Sequence, residues 1–164
     1  MFVVFLDIDG VLNEEFSESR TPSGFTGIDD KKVKVLKKIV EHFDAKVVLT
    51  TTWKSEWSRD RLYCTRDGIY MINKLKYKGN ITIYDKTEDE KNLKRGETII
   101  HWLEKHTDVE DYIVIDDYHF DFNDYADLRK HVVKTEDGIL TAHTFNADYT
   151  QSVYDTLQII QEFK

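Results

Sequence analysis

FLDIDGVL, residues 5–12, sets two aspartates two positions apart directly after a run of apolar residues and follows the pair with a glycine. The apolar run predicts a buried strand over Phe2–Leu6, and the carboxylates of Asp7 and Asp9 come directly after it. In an open α/β sheet, residues at the carboxyl end of a strand project into the crevice where ligands bind. An acidic turn that caps the next helix is the structural alternative, but two aspartates and a glycine are less typical of it. The stretch therefore predicts a ligand site at this strand end.

A second apolar run also ends in adjacent carboxylates. The residues YIVIDD, 112–117, predict a strand over Tyr112–Ile115 that leads directly into Asp116 and Asp117. Neighbouring like charges are unfavourable unless a cation neutralises them. Carboxylate oxygens from two adjacent strand ends suit Mg²⁺, which prefers oxygen ligands. The two acidic strand ends together predict a magnesium site, whereas either pair alone is weak support for one.

Threonines follow a third apolar run, in VVLTTTW at residues 47–53. The run predicts a strand over Lys46–Thr50, and the hydroxyls of Thr50 and Thr51 can donate hydrogen bonds to phosphate oxygens. Backbone N–H groups at the start of a following helix would add to such a site. A threonine-rich strand end with an ordinary helix cap explains the same residues, and the sequence leaves both interpretations open.

The rest of the chain alternates between short apolar runs and helical periodicity, which is typical of an α/β fold with a parallel sheet. Two further strands, Ile81–Tyr84 and His131–Lys134, bring the predicted sheet to about five strands. The polar segments Asn13–Gly27 and Asp85–Lys94 are predicted loops. The helical spacing of apolar residues predicts four helices: Asp29–Phe43, a short one around Ile69–Leu75, Gly96–His106 and Tyr149–Phe163.

Composition sets limits on the class of protein. The chain has 164 residues, no repeat and one proline, so a single domain over 1–164 is predicted. Its net charge of −8 provides no overall basic field to attract nucleic acid or an anionic membrane. Cys64 is the only cysteine, which excludes an internal disulfide and favours a reducing compartment. No apolar stretch approaches the length of a membrane span, so a cytoplasmic location without membrane partners is expected.

The order of these motifs resembles the four-motif pattern of the haloacid dehalogenase (HAD) superfamily. In finer detail the chain is similar to the HAD domains associated with Swiss Army Knife RNA repair proteins. The matching segments span nearly the whole chain in order: VFLDIDGVLN (4–13), VVLTTTWK (47–54), RGETIIHWL (95–103), YIVIDD (112–117) and VVKTEDGIL (132–140). The resemblance implies a three-layer, Rossmann-like α/β fold. Neither position where the superfamily inserts a cap holds enough residues for a large cap domain.

The resemblance also implies catalytic roles. Asp7 is expected to attack phosphorus and form an aspartyl-phosphate, and Asp9 to act as general acid and then as general base. The implied cofactor is Mg²⁺, held by the Asp7 carboxylate, the Asp9 backbone carbonyl and Asp116, with Asp117 in or near the coordination shell. Dehalogenases of this superfamily lack the second aspartate, so Asp9 favours phosphate chemistry over halide chemistry.

Phosphate-binding residues follow from the same resemblance with alternatives left open. Thr51 is expected to hold the phosphate, and Thr50 is the alternative in the run of three threonines. The active-site cation is expected to be Arg95 or Lys94, with Lys91 as a competitor. The sequence departs here from the commonest pattern of the superfamily, which has a clear Lys-Pro, and Arg95 best matches the narrower family.

The expected function is therefore a Mg²⁺-dependent phosphatase. A site without a large cap suits a bulky phosphorylated substrate, such as a nucleic-acid end or a nucleotide. Two alternatives are a phosphatase for a small metabolite or a phosphoprotein, and a non-catalytic binding module that keeps the HAD fold. The presence of both aspartates of the DxD motif argues against the binding module.

A basic stretch after the threonines bears on the substrate. Aromatic side chains among cations can stack bases and bind a nucleic-acid backbone. A helical packing pair of Trp53 and Trp57, with solvated arginines around it, is the alternative interpretation. The stretch comprises Lys54, Arg59, Arg61 and Arg66, interleaved with Trp53, Trp57 and Tyr63.

Overall fold

The computed structural model describes residues 1–89 and 91–164, and its centre is one twisted sheet. The strands lie in the spatial order β3-β2-β1-β4-β5-β6. Neighbours from β3 to β5 are parallel, whereas β6 runs antiparallel to β5 at one edge. The strands are Phe2–Leu6 (β1), Lys46–Leu49 (β2), Ile83–Lys86 (β3), Asp111–Asp116 (β4), Val132–Thr135 (β5) and Ala142–Thr144 (β6).

Helices cover both faces of this sheet. The α-helices are Asp30–Phe43 (α1), Arg66–Gly79 (α2), Arg95–Lys105 (α3) and Gln151–Gln161 (α4). Successive side chains of a strand point to opposite faces. In β1, Val4 and Leu6 therefore enter the core shared with α1, α2 and α4, whereas Val3 and Phe5 enter the core shared with α3. The arrangement confirms the predicted three-layer α/β fold.

The sheet has one strand more than predicted. The five predicted strands are all present, β1 with the predicted bounds and the other four with shifted ends, but β6 is not predicted by the sequence. This strand is only three residues long, and its sequence AHT carries no run of apolar residues. It pairs at the sheet edge, where one side stays open, and so needs little of the hydrophobic pattern that marks buried strands.

The third strand lies two residues later than predicted. Asn80 ends α2 in a left-handed conformation, with φ of 50°, and the N–H of Ile81 donates to the carbonyl of Leu75 at 3.0 Å. Ile81 therefore packs as part of the helix end, and β3 begins at Ile83. The predicted charged loop Asp85–Lys94 consequently loses its first two residues to β3, and its position 90 lies outside the described residues.

Helix ends follow the capping residues. The short helix predicted around Ile69–Leu75 extends over the whole of α2, because the Thr65 hydroxyl accepts a hydrogen bond from the N–H of Gly68 at 3.1 Å. Thr150 caps α4 in the same way through the N–H of Val153, so this helix begins two residues later than predicted. In the part of the chain that the structure describes, none of the helices has the length and apolar character to cross a membrane.

The register of the central strands brings the predicted site residues together. Leu6 of β1 is aligned with Leu49 of β2 and with Ile115 of β4. The N–H of Asp7 donates to the carbonyl of Ile115 at 3.1 Å, and the N–H of Thr50 donates to the carbonyl of Leu6 at 3.0 Å. The residues that follow the three strands therefore emerge side by side at the same sheet edge.

The predicted loop Asn13–Gly27 forms a small flap beside this edge. Its two arms meet in an antiparallel bridge between Arg20 and Thr26. The side-chain amide of Asn13 donates to the carbonyl of Gly27 at 2.9 Å and closes the base of the flap. The flap is the whole of the first possible insertion, and between β2 and α3 the chain forms two short 3₁₀ helices, α2 and β3. The absence of a large cap domain is therefore confirmed for the described residues.

Candidate active site

A buried charged cluster lies at the carboxyl end of β1 and β4. Asp7 is 5% exposed, Arg95 4% and Asp116 0%. One guanidinium nitrogen of Arg95, Nη1, lies 2.9 Å from Oδ2 of Asp116 and 3.4 Å from Oδ1 of Asp7. A single arginine thus faces two buried carboxylates, and its one positive charge does not balance their two negative charges.

The pKa values of both carboxyls are raised, mainly by burial. Burial raises the pKa of Asp7 well above its ordinary value, the carboxylate of Asp116 raises it further, and the Arg95 guanidinium lowers it. Burial also raises the pKa of Asp116, to about 6, against the lowering effect of Arg95. The cluster is therefore poised to bind a further positive charge, because the ionised form of each carboxyl is destabilised without one.

The residues present fit a divalent cation. Asp7, Asp116 and Asp117 each offer one carboxylate oxygen, and these atoms lie within 4.8 Å of one another. A set of hard oxygen donors is the set that Mg²⁺ prefers. Asp9 is not part of this carboxylate group, and the contact predicted for its backbone carbonyl stays a prediction.

Gly10 makes room for the third carboxylate. Its φ is +80°, and a Cβ at this position would lie 2.1 Å from Oδ2 of Asp117. Any side chain here would therefore displace Asp117 as well as strain the backbone. The DxDG motif thus needs glycine at this position because Asp117, at the end of the neighbouring strand, occupies the space that a side chain would fill.

Asp9 lies outside this carboxylate group and is exposed to solvent. Its Oδ1 accepts a hydrogen bond from the side-chain amide of Asn13 at 2.9 Å, and its Oδ2 accepts one from Nε1 of Trp53 at 3.1 Å. Both carboxylate oxygens are therefore held, and the carboxylate lines an open cleft. Asp7 and Asp9 are two residues apart but occupy different environments, one buried beside Arg95 and the other exposed.

Arg95 is positioned by the loop that follows β4. Asp121 accepts hydrogen bonds from the N–H groups of Gly96 at 2.7 Å and Glu97 at 3.2 Å, and so caps the start of α3. The guanidinium of Arg95 lies 4.2 Å from the centre of the Phe120 ring. Lys94 and Lys91 are exposed, so Arg95 is the member of the predicted trio that lies within the cluster.

The two candidate threonines differ in their hydrogen bonds. Both are completely buried. The hydroxyl of Thr51 accepts from the N–H of Trp53 at 3.3 Å and caps the 3₁₀ helix Thr52–Glu56. The hydroxyl of Thr50 has no hydrogen-bond partner among the described residues. A buried hydroxyl without a partner is costly, which suits Thr50 to donate to a bound group.

A cleft of about 520 Å³ opens beside Asp9. The flap forms one wall, the 3₁₀ helix Thr52–Glu56 forms another, and Asp137 closes a third side. Seven of the thirteen described residues that line it are Asp or Glu, and none of these thirteen is Lys, Arg or His. We call this space the acidic cleft.

The basic stretch after the threonines does not form one stacking surface. Trp53 and Trp57 are 8% and 7% exposed and pack into the core on the α1 side of the sheet. Lys54 is buried too, with its Nζ 2.6 Å from the carbonyl of Glu88. Both tryptophans are therefore core residues, as the packing interpretation predicts, although Trp57 lies one residue beyond the 3₁₀ helix rather than on a shared helical face. The members that remain exposed are Arg59, Arg61, Tyr63 and Arg66.

Sequence reasoning missed three residues of the site. The sequence places Asn13 in a loop, indicates stacking or packing for Trp53, and carries no signal for Asp121. The contact between Trp53 and Asp9 joins residues 44 positions apart, and no local pattern indicates it. For Asn13 a signal existed, since an amide four residues after Asp9 suits a turn that bonds back to the carboxylate.

The chain matches a sequence model of one protein family. The family is described as the HAD domain in Swiss Army Knife RNA repair proteins, and the match covers residues 3–143. The matched region contains Asp7, Asp9, Thr50, Arg95 and Asp116, whereas α4 lies beyond it. No curated protein matches the chain.

Proposed function

The chain belongs to the HAD domains of Swiss Army Knife RNA repair proteins, and we propose that it is a phosphohydrolase that cleaves phosphomonoesters through an intermediate on Asp7. The family supports a HAD-type hydrolase. Phosphoester chemistry is supported by the pairing of a buried carboxylate with an exposed one two residues later. A nucleophile and a separate acid–base group are the two residues that hydrolysis in two steps requires.

The reaction begins with the nucleophile. A carboxylate oxygen of Asp7 attacks phosphorus, so an Asp7 O–P bond forms while the bond from phosphorus to the leaving oxygen breaks. Asp9 gives its proton to that oxygen, which departs as an alcohol. Arg95, at 3.4 Å from Asp7, offsets the repulsion between the carboxylate and the phosphate. The unpartnered hydroxyl of Thr50 is suited to donate to a phosphoryl oxygen.

The second step regenerates Asp7. Asp9, now ionised, accepts a proton from water, and the water oxygen bonds to phosphorus while the Asp7 O–P bond breaks. Inorganic phosphate leaves, and Asp9 again carries its proton. The hydrogen bonds from Asn13 and Trp53 fix the direction of the Asp9 carboxylate in both steps.

We propose Mg²⁺ as the cofactor, held by Asp7, Asp116 and Asp117. When bound, the ion supplies positive charge that lowers the repulsion between the phosphate and the carboxylates. The residues themselves prepare the site, because the cluster has more negative than positive charge and carries raised pKa values at Asp7 and Asp116.

One observation carries the proposal: the buried cluster of Asp7, Arg95 and Asp116 lies beside an exposed Asp9 at the same sheet edge. The test measures phosphate release from p-nitrophenyl phosphate with Mg²⁺ and with EDTA. We expect turnover with Mg²⁺ that EDTA removes. Beryllofluoride, an aspartyl-phosphate mimic, should bind to the wild type with Mg²⁺ and fail to bind to an Asp7→Asn variant. Release that persists in EDTA, or in the variant, would contradict the proposal.

A nucleic-acid end is a second candidate substrate, favoured by the RNA repair context named in the family description. Exposed Arg59, Arg61 and Arg66 add positive charge outside the acidic cleft. The comparison to make is between 3′-phosphorylated oligonucleotides and the matching mononucleotides. Higher kcat/KM on the oligonucleotide supports this candidate, and equal values argue against contacts beyond the terminal phosphate.

A further inference from the structure

We propose that the group released by the enzyme carries a positive charge, so that the substrate is a phosphomonoester of a cationic alcohol. This inference rests on the proposed phosphatase function. It is drawn from the acidic cleft, which adjoins the residue that must reach the leaving oxygen. Asp9 lines the cleft, whereas Asp7 and Asp116 are buried and do not. The leaving group therefore occupies the acidic cleft when the phosphate lies at Asp7.

The charge of the lining has one sign. Of its seven acidic residues, Glu14 pairs with a lysine, through an oxygen 3.3 Å from Nζ of Lys32. Asp67 accepts a hydrogen bond from the N–H of Ser23 at 3.1 Å, and Asp137 accepts one from the N–H of Glu15 at 2.9 Å. Such uncharged donors fix the carboxylates in place without neutralising them. The cleft thus presents a negative potential to whatever enters it.

A metal ion accounts for only one of these seven carboxylates, that of Asp117, which lines the cleft and also belongs to the group proposed to hold Mg²⁺. Among the described residues, the carboxylates close enough to share one ion are those of Asp7, Asp116 and Asp117. The other acidic residues of the cleft, such as Glu15, Glu56 and Asp137, lie on different walls and form no such group. Carboxylates dispersed over the walls of a 520 Å³ space match an organic cation better than a compact ion.

The lining also offers apolar surface. Phe25 of the flap is 68% exposed although it is a phenylalanine, and it lines the cleft together with Trp53. Aromatic rings attract ammonium groups through their negatively charged faces, most strongly when water is excluded. An ammonium with alkyl substituents would use both features of the cleft, the carboxylates and the rings.

The carboxylates of the acidic cleft would repel a polyanion. A nucleotide chain in the acidic cleft would bring its phosphates next to several carboxylates, which costs binding free energy. Two of the exposed arginines, Arg59 and Arg61, line a different depression of about 360 Å³, together with Trp57, Lys76 and others. The described residues of the two linings do not overlap. The structure therefore favours a cationic leaving group over a nucleic-acid strand in the acidic cleft.

The test compares two substrates that differ in charge alone. Choline phosphate carries a quaternary nitrogen, and 3,3-dimethylbutyl phosphate has a carbon atom in its place. We expect kcat/KM to be about tenfold or more higher for choline phosphate, and the ratio to fall as salt is added. Equal values, a higher value for the neutral ester, or a higher value for a 3′-phosphorylated oligonucleotide would overturn the inference.

Variants locate the effect within the cleft. Glu15→Gln and Glu56→Gln should each lower the ratio of the two kcat/KM values by about threefold, since each removes one charge from the lining. Glu18→Gln is the matched control, because Glu18 lies in the flap but does not line the cleft, and the ratio should not change. A control variant that lowers the ratio as much as the others would overturn the assignment to the cleft.

Hydrolysis of p-nitrophenyl phosphate tests the phosphatase function separately from the cationic leaving group. Turnover of this ester with no preference for choline phosphate would leave the phosphatase proposal standing and overturn the cationic leaving group. No release from any of the esters would overturn both together.

Discussion

The carboxylates at the carboxyl end of the sheet form a buried group and an exposed group. Asp7 and Asp116 are almost fully buried and share one arginine, whereas Asp9, Glu15 and Asp137 face the solvent of the acidic cleft. The two groups consist of the same chemical group, and Asp7 and Asp9 are only two residues apart in the chain. They differ in how much water surrounds them.

This difference separates two tasks. A buried charge is strongly destabilised unless a cation is near, so each member of the buried group has a large effect on the chemistry. An exposed charge is screened by water and salt, and acts mainly on which molecules approach and bind. Mutations in the buried group should therefore abolish turnover, and mutations on the cleft side should change rates modestly or change substrate preference.

Asp7→Asn should give the largest effect, because it removes the nucleophile from the buried group. We expect the rate of phosphate release to fall by a factor of about 10³ or more. Asp44→Asn is the control, since Asp44 is exposed and its left-handed conformation suits asparagine. Thermal unfolding of both variants should show a folded protein. Turnover that persists in the Asp7→Asn variant would contradict the proposed difference between the buried and exposed groups.

Arg95→Lys should come next. The single ammonium of lysine cannot replace a planar guanidinium that contacts two carboxylates and a phenylalanine ring. We therefore expect kcat/KM to fall about 100-fold. Lys94→Ala removes the adjacent exposed cation and should change kcat/KM by less than about twofold. A larger loss at Lys94 than at Arg95 would show that the active-site cation lies outside the buried group.

Thr50→Val tests the unpartnered hydroxyl that borders the buried group. We expect kcat/KM to fall by roughly 10- to 100-fold, since one donor to the phosphoryl group is lost. Stability should stay the same or rise, because a buried hydroxyl without a partner is removed. Thr51→Val should lower the free energy of unfolding by about 1 kcal/mol through loss of the helix cap. The reverse pattern in kinetics and melting curves would exchange the two roles.

Trp53→Phe probes the cleft side, where effects should be smaller. The substitution keeps an aromatic ring but removes the N–H that donates to Asp9, so we expect kcat to fall about tenfold with little change in KM. Trp57→Phe is the matched control, because Trp57 is equally buried and lines the other depression. Equal kcat values for the two variants would mean that Asp9 needs no support from Trp53.

The smallest effect concerns stability without metal. The pKa of Asp116 rises from 3.8 to about 6 on folding, so the folded state binds this proton more tightly. The stability that this group contributes is complete below pH 3.8 and is lost as the pH rises through about 6. In EDTA, Asp116→Asn should therefore gain a few degrees in Tm relative to the wild type between pH 5 and pH 7.5.

Added Mg²⁺ should oppose this gain, because the ion binds the folded wild type and replaces the missing positive charge. The wild type should rise in Tm with Mg²⁺ at pH 7.5, and Asp116→Asn should rise less. A constant difference between the two proteins across pH, with and without Mg²⁺, would contradict the charge imbalance of the buried group.

The buried group was predictable from sequence because buried strands have a recognisable local pattern of apolar residues. Apolar runs before Asp7 and Asp116 identify two neighbouring buried strands, and the parallel arrangement then brings the residues after them together. The glycine after Asp9 marked the turn. Arg95 was less clear from sequence, because three cations precede or begin one helix, and only the caps of that helix decide which one turns inward.

The cleft side was not predictable, since it depends on contacts between distant segments. Trp53 reaches Asp9 from 44 positions away, and the flap meets α2 through Ser23 and Asp67. Residues such as Glu56 and Asp137 look like ordinary surface charges in the sequence. Their common lining of one cleft results from loop geometry, which hydrophobic periodicity does not encode.

The flap has a consequence for how such a protein can change over generations. Its base is fixed by the bond from Asn13 to Gly27, while its tip at Gly24 has open space around it. Added residues at an exposed loop tip cost little in folding free energy. New segments, up to a whole inserted module, can therefore be acquired at the tip without moving Asp9. A descendant gene could in this way gain a lid while it retains the parental chemistry.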